Sequence, residues 1–306
     1  MKSHGVVTRV PGKVNLQLSV GPLGADGFHE VTTVFQAISL FDDVTVIEGK
    51  AGAGITIQVS GQTANGVPAD ASNLAVRAAQ LMMKEFELSP DLEIKLRKEI
   101  PVAGGMAGGS ADAAATLLGI DQLFGLGLSK DELGEVARKL GSDVPFMLHG
   151  GTAVGRGRGD EITPALSRGN YHWVIAVSSN GLATPAVYGE CDRLRTGLDI
   201  KAPALNDELL QALLSGDANR VGKALNNDLQ AAAISLRPAL RLILDTGQEY
   251  GALGGIVSGS GPTVAFLVAD EDHSLDLAVA LTSSGVVGSV ARAQGPVSGA
   301  KVIAVN

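Results

Sequence analysis

Two spacings of apolar residues run along this chain, one typical of strands and one of helices. Over residues 92–96, leucine and isoleucine alternate with glutamate and lysine, which predicts a half-buried strand. After Asn73, apolar residues recur instead at helical spacing, and residues 129–132 (Ser-Lys-Asp-Glu) form a capping box that begins another helix. The two patterns interleave without a regular strand–helix–strand rhythm, which favours an α+β fold over a doubly wound parallel sheet.

The remaining predicted elements follow from the same two patterns. Strands are predicted at residues 6–20, 31–40, 44–48, 55–59, 92–96, 171–177, 263–269, 288–292 and 301–305. Helices are predicted at residues 74–86, 111–118, 130–140, 206–214, 218–226 and 238–250, and a hairpin at residues 150–159. Pro11-Gly12 is expected to break the first strand into a pair, and Asp42-Asp43 to form a turn between the next two. The polar stretch 163–170 predicts a boundary between two domains, residues 1–165 and 166–306.

A glycine-rich segment, residues 101–116 (PVAGGMAGGSADAAAT), joins the strand at 92–96 to an alanine-rich helix. Its four glycines within residues 104–109 lack the Cβ atoms that would keep backbone N–H groups away from a bulky anion. Ser110 is expected at the N-cap, where free amides and the positive end of the helix dipole favour a phosphate. The alternative is a glycine-rich surface turn beside a helix. The density of glycines favours anion binding.

The loop matches neither of two common phosphate-binding patterns. The dinucleotide fingerprint needs glycines at i, i+2 and i+5, and no start within residues 104–109 supplies them. A P-loop that begins at Gly104 would require lysine where Ser110 stands. A different class of phosphate loop is therefore indicated.

Composition narrows the possible functions. Hydrophobic residues make up 45% of the 306 positions and charged residues 18%, which is enough apolar material for a large core. The net charge of −8 argues against a nucleic-acid partner, because binding to a phosphate backbone needs a basic surface. The single Cys191 excludes an internal disulfide framework, and no apolar run has the length of a membrane span or the form of a signal peptide. We therefore expect a cytoplasmic protein, a monomer or weak dimer, without a nucleic-acid or membrane partner.

Residues 11–16 (Pro-Gly-Lys-Val-Asn-Leu) place two polar side chains together. Lys13 and Asn15 share one face of a strand, because residues two apart project to the same side. An ammonium group beside an amide suits a phosphate or a sugar-like hydroxyl. The alternative is a solvated face on which both side chains are exposed, as lysines usually are.

Two further segments contain polar residues in stiff turns. Asp143 lies in a Gly-Ser turn followed by Val-Pro, which restricts its backbone, although by itself it would be an ordinary turn residue. Residues 257–263 (Val-Ser-Gly-Ser-Gly-Pro-Thr) lead into an apolar strand. They are not a nucleophile elbow, because neither serine has glycines two residues away on both sides, and they could be only a turn.

These segments resemble, in order along the chain, the motifs of the galactokinase, homoserine kinase, mevalonate kinase and phosphomevalonate kinase (GHMP) superfamily. The glycine-rich loop is similar to its P-x-x-G-G-x-x-G-G-S-x-D-A-A signature, although it has fewer glycines than many members and Asp112 where some have Asn. Residues 11–16 match P-x-K-x-N-L, residues 141–145 match G-[AS]-D-[IV]-P, and residues 258–261 match the third motif, S/T-G-S/T-G. The resemblance implies two α+β domains, the first like ribosomal protein S5 domain 2 and the second ferredoxin-like, with the active site between them.

The same resemblance implies roles for individual residues. Asp143 would be the general base beside the substrate hydroxyl, and Lys13 the neighbouring cation that favours its ionised form. Ser110 would be the best candidate ligand for Mg²⁺, with phosphate and water oxygens as the other ligands. The residues implied to bind ATP are Asn73, Pro101, Gly104, Gly105, Met106, Ala107, Gly108, Gly109 and Ser110.

Residues 26–36 and 184–188 resemble a narrower group, the 4-diphosphocytidyl-2-C-methyl-D-erythritol kinase family. They are similar to its A-D-G-Y-H…F-Q and T-P-x-V-[FY] segments, with Phe28 in place of Tyr. This implies a cytidyl diphosphate substrate that is phosphorylated on its 2-hydroxyl, in non-mevalonate isoprenoid synthesis, with Tyr188 stacking on the cytosine. The residues implied to bind this substrate are Asn15, Phe28, His29, Phe35, Thr184, Tyr188, Gly259 and Ser260.

Three alternatives remain open at this point. Phe28 and Phe35 could be core residues, and His29 a turn residue without a ligand. The enzyme could be a kinase of the homoserine or mevalonate type, although the pyrimidine-binding segment argues against it. A catalytically silent nucleotide-binding regulator on the same fold is the third, although the presence of both Lys13 and Asp143 argues against it.

Overall fold

The computed structural model describes residues 4–102, 104–178 and 181–305. Its elements follow in this order: β1 (Gly5–Leu23), β2 (His29–Glu48), β3 (Ile55–Ser60), α1 (Leu74–Glu85), β4 (Leu92–Arg97), α2 (Gly108–Phe124), α3 (Lys130–Arg138), α4 (Val144–His149), β5 (Thr152–Arg156), β6 (Glu161–Pro164), β7 (Tyr171–Val177), α5 (Thr184–Leu194), α6 (Asp207–Ser215), α7 (Ala218–Ala224), β8 (Asn226–Asn227), α8 (Gln230–Leu236), α9 (Ala239–Glu249), β9 (Gly254–Val257), β10 (Val264–Val268), α10 (Glu271–Ser284), β11 (Ser289–Gly295) and β12 (Lys301–Val305).

A long antiparallel ribbon of β1 and β2 is the centre of the larger sheet, in which the strand order is β12-β1-β2-β4-β3. On the edge that faces away from the other ribbon strand, each of the two pairs with different strands in its earlier and later parts. The later part of β2 pairs with β4 and its earlier part with β5, while β1 pairs with β12 and with the two residues of β8. The last strand of the chain therefore returns to the sheet that the first strand begins.

The smaller sheet is antiparallel, with the order β11-β7-β10-β9, and packs against α9 and α10. Helices α1 and α2 pack against the larger sheet, and the buried alanines of α2 allow a close approach. The indole N–H of Trp173 on β7 donates to the side-chain oxygen of buried Gln36 on β2 (2.9 Å), which links the two sheets. Within the described ranges, no helix has the length and apolar character needed to cross a membrane.

The predicted break at Pro11-Gly12 is wrong. Strand β1 continues through this dipeptide, which lies at a shift of register relative to β2 instead of at a turn. Such an irregularity accommodates proline and glycine inside a strand, because Ser39 and Leu40 of β2 are left out of the ladder while pairing resumes beyond them.

The predicted turn at Asp42-Asp43 is also wrong. Both residues lie within β2, and the carboxylate of Asp42 is fully buried. It accepts the backbone N–H groups of Glu99 (2.6 Å) and Ile100 (2.9 Å), so contacts distant in sequence override the local preference of aspartate for turns.

Other elements were predicted incompletely. The predicted hairpin at 150–159 is formed by β5 and β6 and extends to Pro164. Helices α4, α5, α8 and α10 and strands β8 and β9 were not predicted, and the helix predicted at 218–226 ends at Ala224. The α+β class is confirmed, and the boundary between residues 1–165 and 166–306 stays a prediction.

Candidate active site

A cavity of about 490 Å³ gathers residues that are far apart in the sequence. Lys13 on β1, the glycine-rich loop, Asp143 before α4 and Tyr188 on α5 line it together. The sequence-predicted residues in its lining are Lys13, Asn15, Phe35, Gly104, Gly105, Ala107, Gly108, Gly109, Ser110, Asp143, Thr184, Tyr188, Gly259 and Ser260. The four GHMP-like motifs therefore meet around one space, which we call the central cavity.

The start of α2 differs from the prediction for Ser110. The helix begins at Gly108, with Ala107 as N-cap in the left-handed conformation (φ 57°), so Ser110 is the third helical residue and the N-cap prediction is wrong. The N–H of Ala111 donates to the carbonyl of Ala107 (2.8 Å). The amides of residues 108–110 are therefore those that a helix N-terminus leaves without intrahelical partners, and they are suited to bind an anion. Ala103 lies outside the described residues.

Two of the loop glycines are required by a close approach of two loops. A Cβ at Gly104 would overlap Thr263 Oγ1, and a Cβ at Gly105 would overlap the carbonyl oxygen of Ser258. The Ser258 hydroxyl donates to the carbonyl of Gly105 (3.1 Å). The glycine-rich loop and residues 257–263 are thus packed against each other, and these glycines serve that contact as well as any ligand.

Lys13 is buried, with only 3% of its surface exposed, which excludes the solvated strand face. Its ammonium group donates to Asn15 Oδ1 (2.5 Å), and the amide of Asn15 donates to Thr33 Oγ1 (2.8 Å). Burial lowers the pKa of Lys13, and the charge of Asp143 partly counters this effect. A Cβ at Gly259 would lie 3.3 Å from Lys13 Nζ, so the third motif closes directly over this ammonium group.

Asp143 occupies the N-cap position of α4 with helical backbone angles. Within the part of the chain that the structure describes, its carboxylate makes no capping hydrogen bond to that helix. It faces the central cavity and acts electrostatically on both Lys13 and Tyr188. Burial, with a contribution from Asp143, raises the pKa of Tyr188 to about 12, which keeps its phenol neutral.

A second cavity of about 670 Å³ adjoins the first and shares Thr184 and Tyr188 with it. We call it the side cavity; Phe28 and His29 also line it. The rings of His29 and Tyr188 are tilted, with centroids 5.2 Å apart. Phe35 lies instead in the wall of the central cavity, where it is buried and stacked on Phe146 (4.8 Å).

Both ring nitrogens of His29 already contact the protein. Nδ1 lies 2.9 Å from the carbonyl oxygen of Gly21, which can only accept, so Nδ1 carries the proton. Nε2 lies 3.3 Å from a carboxylate oxygen of Asp192. The role of His29 in substrate binding stays a prediction, and a contact with the substrate would have to replace or supplement one of these.

A smaller cavity of about 230 Å³ lies on the other side of the glycine-rich loop. Asn73, Gly108 and Gly109 line it. The side chain of Asn73 caps α1, accepting from Ala75 N (2.9 Å) and donating to the carbonyl of Pro68 (2.7 Å), so it shapes this cavity through the helix start.

Two predicted ATP-binding residues, Pro101 and Met106, are buried in the described part of the loop instead of lining these three cavities. The carbonyl of Met106 accepts the backbone N–H of Lys13 (3.4 Å). Met106 therefore joins the loop to the strand that carries the lysine.

A buried cluster of three ionisable residues lies behind the glycine-rich loop and was not predicted. Lys98 Nζ donates to the carboxylates of Asp42 and Asp112, the latter at 2.8 Å, and also to the carbonyl of Gly108 (3.3 Å). A sequence signal for it existed. Residues 92, 94 and 96 point into the core, and Lys98 follows them at the same spacing of two. A lysine at such a buried position requires a buried partner.

Metal binding has limited support from the side chains alone. In the described ranges, no group of three or more His, Cys, Asp or Glu residues is placed to hold a metal ion. Ser110 and Asp143 do share the central cavity. This donor set fits Mg²⁺ only if phosphate and water oxygens supply most of its ligands, which is the usual behaviour of this ion.

Comparison with known proteins identifies the family. Residues 73–151 match the family model of the GHMP kinases N terminal domain, and residues 209–287 that of the GHMP kinases C terminal domain. The chain is 52% identical over 300 residues to the 4-diphosphocytidyl-2-C-methyl-D-erythritol kinase of Rhodococcus jostii (97% of this chain, 95% of that protein). It is 51% identical to the protein of the same name from Mycolicibacterium smegmatis (97% and 92%).

Solved structures agree with these relatives. The crystal structure of a 4-(cytidine 5'-diphospho)-2C-methyl-D-erythritol kinase matches with a TM-score of 0.74 and 31% identity, covering 94% of this chain and 98% of that one. Mevalonate kinase of L. major matches with a TM-score of 0.78 but 16% identity (95% and 96%), which supports the fold alone. The predicted fold and family are confirmed. The chain is a small-molecule kinase of the GHMP superfamily and belongs, within it, to the 4-diphosphocytidyl-2-C-methyl-D-erythritol kinase family.

Proposed function

We propose that this protein transfers the γ-phosphoryl group of ATP to the 2-hydroxyl of 4-diphosphocytidyl-2-C-methyl-D-erythritol. One observation carries the proposal. Lys13, Asp143 and the free amides of the phosphate loop line one cavity, and Tyr188 joins that cavity to a second one large enough for a base. The names of relatives at about half identity over nearly the whole chain support this substrate.

ATP, when bound, supplies the phosphoryl group that is transferred. The amides of residues 108–110 bind its phosphates at the N-terminus of α2, since that end carries unpaired donors and a partial positive charge. Lys13 places a buried ammonium group beside the transferred charge, in a setting where its electrostatic effect is little screened by water. Ser110 would hold Mg²⁺ together with phosphate and water oxygens.

Asp143 acts on the substrate hydroxyl. Its carboxylate accepts the hydroxyl proton while the alcohol oxygen forms its bond to the γ-phosphorus and the bond from that phosphorus to the bridging oxygen breaks, releasing ADP. Asn15 fixes Lys13 through their hydrogen bond, and Thr33 fixes Asn15. Much of the rate acceleration in such a site comes from this fixed geometry.

The alternatives are less well supported. Homoserine kinase of Cytophaga hutchinsonii and mevalonate kinase of L. major share the fold at under 20% identity, whereas the cytidyl-named relatives share about half of the residues. A non-catalytic regulator would not require Lys13 and Asp143 to line the same cavity. Oligomeric state, location in the cell and the role of each residue stay predictions.

A coupled assay with ATP tests the proposal directly. The cytidyl substrate should be phosphorylated, whereas homoserine and mevalonate should not. Asp143→Asn should keep the binding of both substrates and lower kcat by about 10²-fold or more, as expected for loss of a general base. Turnover of homoserine or mevalonate in preference to the cytidyl compound would overturn the substrate assignment.

The base pocket can be tested separately. Tyr188→Ala should raise KM for the cytidyl substrate by about ten- to a hundredfold, since stacking of a base on an aromatic ring has that magnitude. Tyr188→Phe should have a mild effect, because the ring face is retained. KM for ATP should change little in both variants. An unchanged KM for the cytidyl substrate in Tyr188→Ala would place the base elsewhere.

A further inference from the structure

Arg158 lies where the central and side cavities meet, and it lines both. Its position is set by the turn between β5 and β6. The carbonyl of Gly157 accepts the N–H of Val31 (2.8 Å), and the N–H of Arg158 donates to Asp160 (3.2 Å). The side chain therefore extends from a turn that is attached to β2, beside the passage between the two cavities.

The guanidinium group of Arg158 has two partners. Its central carbon lies 3.8 Å from the centroid of the Phe28 ring, and Nη2 lies 3.1 Å from a carboxylate oxygen of Asp26. Phe28 is 52% exposed, and the ion pair with Asp26 is also open to solvent. Exposed ion pairs are weak and readily replaced, so this arrangement leaves the guanidinium available to a stronger anion.

The substrate contains such an anion. Its cytosine and its methylerythritol are joined by a diphosphate. With the base beside Tyr188 and the reacting hydroxyl beside Asp143, that diphosphate must cross the passage between the cavities. We propose, building on the proposed function, that Arg158 binds this diphosphate and so determines specificity for a nucleoside diphosphate substrate. The planar guanidinium fits phosphate oxygens with two parallel hydrogen bonds.

Other cations near the passage are less suitable. Arg138 and Lys139 line the side cavity but not the central cavity, so neither lies where the two cavities meet. Lys13 lies within the central cavity beside Asn15. Among the described cationic side chains, Arg158 is the one that lines both cavities.

The contact with Phe28 has a consequence for binding. The guanidinium covers one face of the most exposed aromatic ring in the side cavity, a face on which a base could stack. Transfer of Arg158 from Phe28 to the diphosphate would uncover that face at the moment when the base arrives. Arg158 therefore discriminates between a free nucleoside, which leaves it on the ring, and a nucleoside diphosphate, which draws it away.

Arg158→Gln tests the proposal. KM for the cytidyl substrate should rise about ten- to a hundredfold, which is the size of a lost charge-assisted contact, while kcat and KM for ATP stay within about threefold. Arg158→Lys should recover part of the loss. Arg156→Gln, on the same hairpin but exposed and outside both cavity linings, is the matched control and should behave as wild type.

Competition by CDP and by cytidine gives a readout specific to the phosphates. In the wild type, CDP should inhibit much more strongly than cytidine, and Arg158→Gln should remove most of this difference while cytidine inhibits equally or more strongly. Equal weakening of CDP and cytidine would overturn the proposal and indicate that Arg158 only supports Phe28. An unchanged KM in a folded Arg158→Gln protein would overturn it too. Failure of the wild type to use the cytidyl substrate would instead overturn the proposed function, and this inference with it.

Discussion

Two lysines are buried on opposite sides of the glycine-rich loop, and their partners differ. Lys13 has a neutral partner, the amide of Asn15, whereas Lys98 contacts the carboxylates of Asp42 and Asp112. Burial lowers the pKa of Lys13. Burial acts on Lys98 in the same direction, but the two carboxylates outweigh it and its pKa is raised.

The difference separates a lysine that awaits an anion from one that already has its anions. Lys13 faces the central cavity, where Asp143 only partly offsets the effect of burial and a phosphate would supply further negative charge. Lys98 joins β2, β4 and α2 through its two carboxylates and the carbonyl of Gly108, so it supports the loop from behind. The first arrangement favours binding and catalysis, the second stability, and substitutions should separate the two roles.

The largest effect that we expect is a loss of stability in Lys98→Met. Removing the lysine leaves the buried side chains of Asp42 and Asp112 without the cation that both contact, so the unfolding free energy should fall by about 3–5 kcal/mol, measured by urea denaturation. The triple variant Asp42→Asn, Lys98→Met, Asp112→Asn removes all three charges and should recover much of this loss. A stability of Lys98→Met equal to that of the wild type would contradict a structural role for the cluster.

Lys13→Met should lower activity and leave stability intact. Loss of a preorganised cation should lower kcat by about 10²–10³-fold. The unfolding free energy should stay unchanged or rise, because a buried ammonium group without a carboxylate partner is costly. Lys95→Met, on the exposed face of β4, is the control and should alter neither quantity. A large loss of stability in Lys13→Met would remove the distinction between the two lysines.

The sequence predicted Lys13 and not Lys98, for a physical reason. Lys13 and Asn15 are two residues apart on one strand, so their proximity follows from strand geometry. The partners of Lys98 lie on β2 and α2, and their proximity depends on how helix and sheet pack. Asp42 was misjudged for the same reason, since local preference predicted a turn where distant backbone amides are bound.

The start of α2 has a similar explanation. Serine is a common N-cap, but Ala107 takes the left-handed conformation next to the closely packed loop at 257–263, and the helix begins two residues before Ser110. Motifs therefore predicted which segments form the site. The tertiary packing determined which amides, walls and buried partners complete it.

Asn15→Asp would make Lys13 resemble Lys98. The new carboxylate should raise the pKa of Lys13 and compete with the incoming phosphate for its ammonium group, lowering kcat/KM by about ten- to a hundredfold. The unfolding free energy should rise, since the buried cation gains a charged partner. Asn15→Leu, which removes the hydrogen bond without adding charge, is the control and should have a smaller effect on kcat/KM. A fully active Asn15→Asp enzyme would contradict the need for a neutral partner.

The smallest effect is expected on the unfolding free energy of Asp112→Asn, and this effect should depend on pH. Burial raises the pKa of Asp112 well above its usual value, Lys98 opposes this shift, and Asp42 adds to it. One oxygen of Asp112 is bound by Lys98, and the other is buried without a hydrogen-bond partner among the described residues.

In the unfolded chain an aspartate ionises near pH 4. The native protein therefore keeps a proton that the unfolded chain releases, and its unfolding free energy should fall as pH rises from about 4 through the raised pKa.

The Asp112→Asn variant has no such proton to release. Its unfolding free energy should therefore increase relative to that of the wild type over the same range of pH. The advantage should be absent near pH 4 and should grow as the pH rises through the raised pKa of Asp112. Urea denaturation of both proteins at about pH 4.5, 6 and 8 measures it, with Asp276→Asn on the exposed side of α10 as the control. Parallel pH profiles for wild type and Asp112→Asn would mean that Asp112 is ionised throughout and that Lys98 outweighs its burial. In that case Lys98 would differ from Lys13 only in having two ionised carboxylates as partners, and burial would not keep Asp112 protonated.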